Sequence, residues 1–290
     1  MKVCIKCNNI FKTEKWICPL CKHQPGVVDG HYVLSPELNQ SKLGFRQESF
    51  EKLFNLEASN FWFRSRNQLI LWAIKKYFPG AERMLEIGCG TGYVLAGVKK
   101  HIPELSLTGS DISICGISYA AQRVNDVHLI QFNAMEIPYY NEFDIIGAFD
   151  VLEHIEEDEH VLAQINKAVV PSGGIIITVP QHQFLWSQTD ESAKHQRRYS
   201  VGQLKDRVAA AGFEVVRITS FVSLLFPLMV LSRYLKKRHY HKNSNHSELR
   251  INRFLNYIFE NLLSFERMII KIGVNLPFGG SLLLIARKVD

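Results

Sequence analysis

The run Met84-Leu-Glu-Ile-Gly-Cys-Gly-Thr-Gly-Tyr93 constrains this chain more than any other stretch. It reads as a short buried strand, Met84 to Ile87, then a glycine turn, then the first turn of a helix. Gly88, Gly90 and Gly92 lack a Cβ, so the backbone can approach a ligand closely and can take positive φ. A helix N-terminus just beyond would point free N–H groups into the same space. Glu86 puts an acid inside an apolar strand, which is costly unless the carboxyl finds a partner. With no ligand, the same residues would be a tight strand-to-helix turn of an α/β protein.

Glycine spacing separates two nucleotide readings. The dinucleotide fingerprint is G-x-G-x-x-G. Here the third glycine comes one place early, and Tyr93 stands where that fingerprint needs glycine. E-x-G-x-G-x-G instead resembles motif I of the class I S-adenosylmethionine-dependent methyltransferases, whose loop wraps the amino-acid end of a cofactor without pyrophosphate. The resemblance covers roughly residues 60 to 220 and the last strand. It implies an α/β fold with a Rossmann-like seven-stranded sheet, order 3-2-1-4-5-7-6, strand 7 antiparallel and helices on both faces. It also implies S-adenosyl-L-methionine as cofactor and methyl transfer (EC 2.1.1.-) as activity.

Further features follow in the order such a domain requires. Leu105 to Gly109 is strand two, ending at Ser110-Asp111. An acid about 20 residues past the glycine turn can accept both ribose hydroxyls of a nucleoside. Asp111 could instead cap a helix over Ile112 to Arg123. Strand three is Val127 to Phe132. The resemblance extends the cofactor contacts to Ile112 and to Asn133-Ala134-Met135. Many members have an acid where Asn133 stands, bonding the adenine amino group, while the next backbone N–H meets the ring. Asn133 departs from that pattern, although an amide oxygen can accept the same bond.

Strand four, Phe143 to Phe149, leads into Asp150-Val-Leu-Glu-His-Ile155, which resembles the family segment lying against the methyl donor. Open parallel sheets bind ligands beyond the carboxyl ends of their strands, near the switch point. Asp150, Val151, Glu153 and His154 therefore belong at the pocket. Pro171 to Gly174 reads as a turn before strand five, Ile175 to Val179. The loop over 181–200 is long and rich in reactive side chains, a combination that usually carries function. Its H-x-R-R-Y-S run resembles a methyltransferase subset that includes quinone-pathway enzymes. His154, His195 and Tyr199 are the catalytic candidates, with Asp190 and Arg197 as helpers. A base is needed only if the acceptor is a hydroxyl or a protonated amine. The plainer reading makes His154 structural and leaves Arg197 and Arg198 to pin the loop. Strand six is Phe213 to Ile218, and the final strand Ser281 to Lys288.

Three domain-level expectations frame this core. Residues 1–26 carry Cys4-x-x-Cys7 and Cys18-x-x-Cys21. Two such turns can complete a tetrahedral thiolate site for structural Zn²⁺, and a segment this short needs a staple to fold. It resembles a zinc ribbon; iron or a redox dithiol is the alternative. Residues 27–49 lack periodicity and read as a linker. Residues 50–290 form the main domain. Its helical start over Phe50 to Phe78 carries Phe61-Trp-Phe63 with Arg64 and Arg66, either core packing or a cover for the site. A helical insertion lies at about 221–275. Residues 221–231 are apolar apart from Ser223, and Arg233, Lys236, Lys237, Arg238 and Lys242 follow. Such a pattern resembles an interfacial membrane element, so peripheral membrane contact through about 221–242 is one reading. Packing on the domain or on a second subunit is the other.

Bulk numbers set limits. In 290 residues, 47% hydrophobic and 21% charged content allow an ordinary globular core, and a net charge of +6 is too weak to point to nucleic acid. The chain opens on a polar, cysteine-bearing segment, so no leader peptide is expected. No run reaches the roughly 18 apolar residues of a membrane span. Paired C-x-x-C cysteines suit a reducing, cytoplasmic setting, possible contact with the inner membrane face included. The acceptor is read as a small-molecule or lipid-linked group, and the oligomeric state is open. Two rivals remain: a zinc-ribbon module binding nucleic acid or protein on a Rossmann-like scaffold, and an NAD-dependent oxidoreductase.

Overall fold

A computed structural model describes residues 1–38, 47–238 and 251–289. Strands β1 (Lys2–Val3) and β2 (Ile10–Phe11) pair antiparallel, and β3 (Gly26–Val28) and β4 (His31–Val33) form a hairpin. Helices α1 (Gln47–Glu57) and α2 (Phe61–Tyr77) precede β5 (Arg83–Ile87), α3 (Tyr93–His101), β6 (Ser106–Asp111), α4 (Ile114–Arg123) and β7 (His128–Gln131). Then come β8 (Phe143–Phe149), α5 (Asp158–Ala168), β9 (Val169–Pro180), α6 (Gln188–Ser192), α7 (Val201–Ala210) and β10 (Phe213–Phe221). Helices α8 (Phe226–Arg238) and α9 (Arg253–Lys271) lead to β11 (Ser281–Lys288).

The main sheet runs β10-β11-β9-β8-β5-β6-β7-β4-β3. From β7 to β10 this is the expected 3-2-1-4-5-7-6 order, with β11 antiparallel to both of its neighbours. Ile145, Ile146, Ile175, Ile176 and Ile177 are fully buried on β8 and β9. Such unbroken apolar runs belong to parallel strands covered by helices on both faces.

The sheet is nine-stranded rather than seven-stranded, because the stretch read as a linker contributes β3 and β4. β4 lies parallel to β7, with Tyr32 opposite Ile130. Three-residue strands are too short for alternation to show in sequence. Residues 39–46 of that stretch lie outside the described residues. Two other boundaries differ from expectation. The helical pattern over 50–78 is broken at Asn60, whose Oδ1 accepts the Trp62 N–H at 2.9 Å and starts α2 afresh. The turn expected at 171–174 is part of β9, bent where Ser172 takes φ +62°.

The cysteine segment is packed onto the domain. Val3 N donates to Pro138 O at 2.9 Å, and the Trp16 ring meets Tyr139 edge-on at 5.6 Å. Cys4, Phe11, Trp16 and Cys18 share one buried cluster with Leu34, Phe132 and Tyr139. In the insertion, α9 packs along α2. Lys242 and the side chains of Lys236, Lys237 and Arg238 lie outside the described residues.

Candidate functional site

The turn after β5 is built from three left-handed glycines: Gly88 at φ +66°, Gly90 at +52° and Gly92 at +73°. Other residues rarely adopt this region. A Cβ at Gly88 would lie 2.5 Å from Val151 Cγ2, so Gly88 is also fixed by contact with the segment after β8. A Cβ on Gly90 would meet nothing within 4 Å: the loop faces open space there. Beyond it α3 begins with no side-chain cap.

Asp111, at the end of β6, braces this loop. Gly90 N donates to its Oδ2 at 2.9 Å and Ser113 N to its Oδ1 at 2.8 Å. Burial pushes the carboxyl up, and those N–H groups pull it back. Ile112 follows and gives its carbonyl to Gln131 Nε2 at 3.0 Å. Glu86 is buried, and its Oε2 has no hydrogen-bond partner among the described residues. Burial drives its carboxyl well above the usual range, with Arg66 opposing. Asn133 uses its side-chain oxygen to accept the Met135 N–H at 3.0 Å, a local turn that sets Ala134 and Met135 beyond β7.

Past β8, Asp150 takes φ +58° and pairs with Arg66. The Arg66 guanidinium lies over the Trp62 ring at 4.5 Å. Helix α2 thus reaches the carboxyl edge of the sheet. Arg64 of the same aromatic cluster turns away to Glu260, at 3.0 Å.

Glu153, His154 and His195 converge, with one ligand atom from each within 4.8 Å of the others. Glu153 is buried and neither carboxyl oxygen has a partner among the described residues. Burial and the Asp150 charge push it well above the usual carboxylate range. The His154 ring is edge-on to His195 at 4.6 Å. Burial, then the neighbouring His195, lowers His154 to about 4. His195 Nδ1 lies 2.9 Å from Asp190 Oδ1. Burial alone would raise Asp190, but His195 and a two-pronged Arg198 hold it well below the usual range. An ionised carboxylate can only accept, so His195 donates from Nδ1 and a neutral ring keeps a lone pair on Nε2.

The loop that carries His195 is bolted to the post-β8 segment. Gln196 N donates to Glu153 O at 2.6 Å, and Arg197 donates to Ile155 O at 2.7 Å and Glu156 O at 2.9 Å. Tyr199 is not brought into the cluster. It is buried, its hydroxyl donates to Asp158, and burial together with that carboxylate raises it.

Two supporting groups gave no sequence signal. Ser35, just after β4, exchanges two hydrogen bonds with the buried Gln131 side chain and accepts the Asn133 N–H at 3.3 Å. Glu57 of α1 accepts from Thr91 Oγ1 at 2.5 Å and pairs with Arg123, closing over the glycine loop. Both join residues far apart in the chain, which no local pattern reports.

In the N-terminal segment, Cys4, Cys7, Cys18 and Cys21 offer four sulfurs within 4.8 Å of one another. Cys4 and Cys21 Sγ are 3.6 Å apart, as are Cys7 and Cys18 Sγ. Four thiolates about 2.3 Å from a tetrahedral centre would stand about 3.8 Å apart, so the donor set fits a zinc-sized ion.

Comparison with known proteins bears on the family and the fold. Residues 54–218, more than half of the chain, match a family model described as a methyltransferase domain. A Mycolicibacterium smegmatis protein named "Probable S-adenosylmethionine-dependent methyltransferase" is 24% identical over 166 residues, covering 55% of this chain and 62% of that protein. Across the first curated relatives the match spans 30% to 62% of their lengths. Among solved structures, Haemonchus contortus phosphoethanolamine N-methyltransferase 2 with S-adenosyl-L-methionine superposes with a TM-score of 0.57 at 17% identity, over 90% of this chain and 61% of that one. The [4+2]-cyclase SpnF superposes at 0.53 and 21% identity, over 79% and 83%. At these identities the likeness is one of fold, and a fold hosts more than one chemistry.

Proposed function

The chain belongs to the methyltransferase domain family, of the class I S-adenosylmethionine-dependent kind, and from that we propose that it transfers a methyl group to an O, N or C nucleophile of a small-molecule or lipid-linked acceptor. One observation carries the cofactor assignment. The buried Glu86 carboxyl lacks a partner for one oxygen, two residues before a loop of left-handed glycines that is open at Gly90. A cationic amino-acid end fits that place. Glu86, Gly88, Gly90 and Gly92 hold it; Asp111 and Ile112 hold the ribose; Asn133, Ala134 and Met135 border the adenine; Asp150 and Val151 flank the methyl end. Bound there, S-adenosylmethionine supplies an electrophilic methyl on a sulfonium.

The protein's own part is alignment, exclusion of water and handling of one proton. His195 is the base, accepting the acceptor's proton at Nε2 while Asp190 fixes its ring. His154, near 4, is too weak a base at neutral pH and orients the acceptor as a neutral imidazole. Glu153, whose carboxyl is pushed up by burial and by Asp150, offers the acceptor two oxygens that have no partner among the described residues. Tyr199 holds the loop through Asp158 and touches no reacting atom. The four cysteines hold a structural Zn²⁺, and with all four thiolates engaged that ion has no open position for chemistry.

Calorimetric titration with S-adenosylmethionine, S-adenosylhomocysteine and NAD tests this reading. Heat with the first two and none with NAD is expected; no heat with either sulfur compound overturns it. Metal analysis of the purified chain, expected to give one zinc per chain, tests the cysteine site separately.

A further inference from the structure

Helix α9 turns most of its polar residues inward, beside the buried Leu263 and Ile270, and leaves large apolar side chains on its outer side. Its inward face holds much of its polar chemistry. Glu266 is buried and accepts the N–H groups of Val222, Ser223 and Leu224 at 2.6, 2.6 and 2.8 Å. Asn256 accepts the Phe61 N–H at 2.8 Å and Glu260 pairs with Arg64 at 3.0 Å. Arg267 donates to Ser65. Its outward face is apolar: Phe254 is 72% exposed, Phe265 58% and Met268 62%, with Tyr257 and Leu262 between them. The exposed polar residues of the helix are Asn261 and, at its two ends, Arg253 and Lys271. A water-facing helix shows the opposite distribution.

Helix α8 likewise leaves Leu228, Leu231, Tyr234 and Leu235 exposed. Its first ring, Phe226, lies 5.3 Å from His182 and 6.4 Å from Phe278. Phe184, on the loop leading to His195, and Phe278, before β11, are themselves exposed. The apolar surface therefore begins on the loops at the carboxyl edge of the sheet.

Charge selects what covers this surface. Residues 221–275 hold nine Lys and Arg against three Glu, an excess equal to the +6 of the whole chain. Exposed aromatics on α8 and α9, with Arg253 and Lys271 exposed at the two ends of α9 and this cationic excess in the segment's sequence, match the boundary of an anionic bilayer, where rings sit among the headgroups and each cation adds attraction. Among the described residues no helix is long and apolar enough to cross a membrane, so the fit is to the surface. We propose that the outward faces of α8 and α9 dock on an anionic lipid surface. This inference does not depend on the methyl-transfer reading.

The test is co-sedimentation of the full chain with phosphatidylcholine vesicles, with and without phosphatidylglycerol. Binding to the anionic vesicles is expected. It should weaken as salt rises, be much lower on neutral vesicles, and fall on the order of tenfold or more in F265D/M268D and in L231D/L235D. Because these side chains are exposed, both variants should keep wild-type thermal melting and wild-type heat with S-adenosylhomocysteine. Failure to sediment with anionic vesicles overturns the proposal. So does a concentration-dependent dimer, seen by light scattering, that the same substitutions dissolve while vesicles recruit nothing: the face would then belong to a second copy. Loss of cofactor heat in the wild type would overturn the methyltransferase reading alone.

Discussion

At the scale of single residues, the site is held by carboxylates whose partners differ. Asp111 gives one oxygen to Gly90 N and the other to Ser113 N, so it shapes the loop it is proposed to complete. Asp111→Ala removes both charged hydrogen bonds, each worth about 1.5–3 kcal/mol. S-adenosylhomocysteine affinity should fall about 10- to 100-fold by calorimetry, and unchanged affinity would remove Asp111 from the ribose. His154 gives a pH prediction of definite sign. In the fold it binds a proton only near pH 4, whereas an unfolded histidine does so near pH 6.5. Between those values the unfolded state takes the proton, so this group's contribution to stability falls as pH drops, by about 3 kcal/mol in all. The raised acids Glu86 and Glu153 act in the opposite sense, so the readable quantity is a difference. Urea denaturation should show the gap between wild type and His154→Gln moving in the variant's favour from pH 7 to pH 4.5; a constant gap would mean His154 is not buried as described.

At the scale of elements, what was legible in sequence is what repeats locally. The strand–glycine–helix unit and the ends of β8 and β11 follow from apolar runs and turn residues, while the strand order came only with the family resemblance that the glycine motif carries. The edge strands β3 and β4 did not show, being only three residues each. The orientation of α9 did not show either, because periodicity says that a helix has two faces without saying which one meets the protein. Buried polar pairing decides that. Glu266 binds three successive N–H groups where β10 turns into α8, at a residue, Val222, forced to φ +61°. Removing the carboxylate leaves those donors unpaired, at a cost of about 3 kcal/mol. Glu266→Ala should therefore speed hydrogen exchange across 222–235 and lower the denaturation midpoint, while exposed Phe265→Ala leaves both nearly unchanged. Equal effects from the two would mean that α9 is held by its apolar side.

At the scale of the whole molecule, the cysteine segment and the cofactor cleft are linked through the sheet. The pairs Cys4–Cys7 and Cys18–Cys21 were readable from spacing, but their continuity with the core was not, since it depends on Trp16 meeting Tyr139 across more than a hundred residues. From the segment the chain passes into β3 and β4, where Leu34 N donates to Gln131 O at 2.9 Å and Ser35 meets the Gln131 side chain and the Asn133 backbone. The proposed zinc thus secures one end of a brace whose other end shapes the adenine side of the cleft. If the ribbon were an independent knob, stripping its metal would leave the main melting transition where it was. With a shared core, loosening the segment uncovers Trp16, Phe11 and Tyr139, at a cost of about 3 kcal/mol. That corresponds to a fall of roughly 5 °C in Tm. Chelation, and separately Cys4→Ser with Cys21→Ser, should lower the main calorimetric transition by that amount. Both should also weaken S-adenosylhomocysteine binding several-fold, and restoring Zn²⁺ should reverse only the chelated sample. An unmoved transition with full cofactor affinity after complete zinc loss would show that the cleft does not lean on the ribbon.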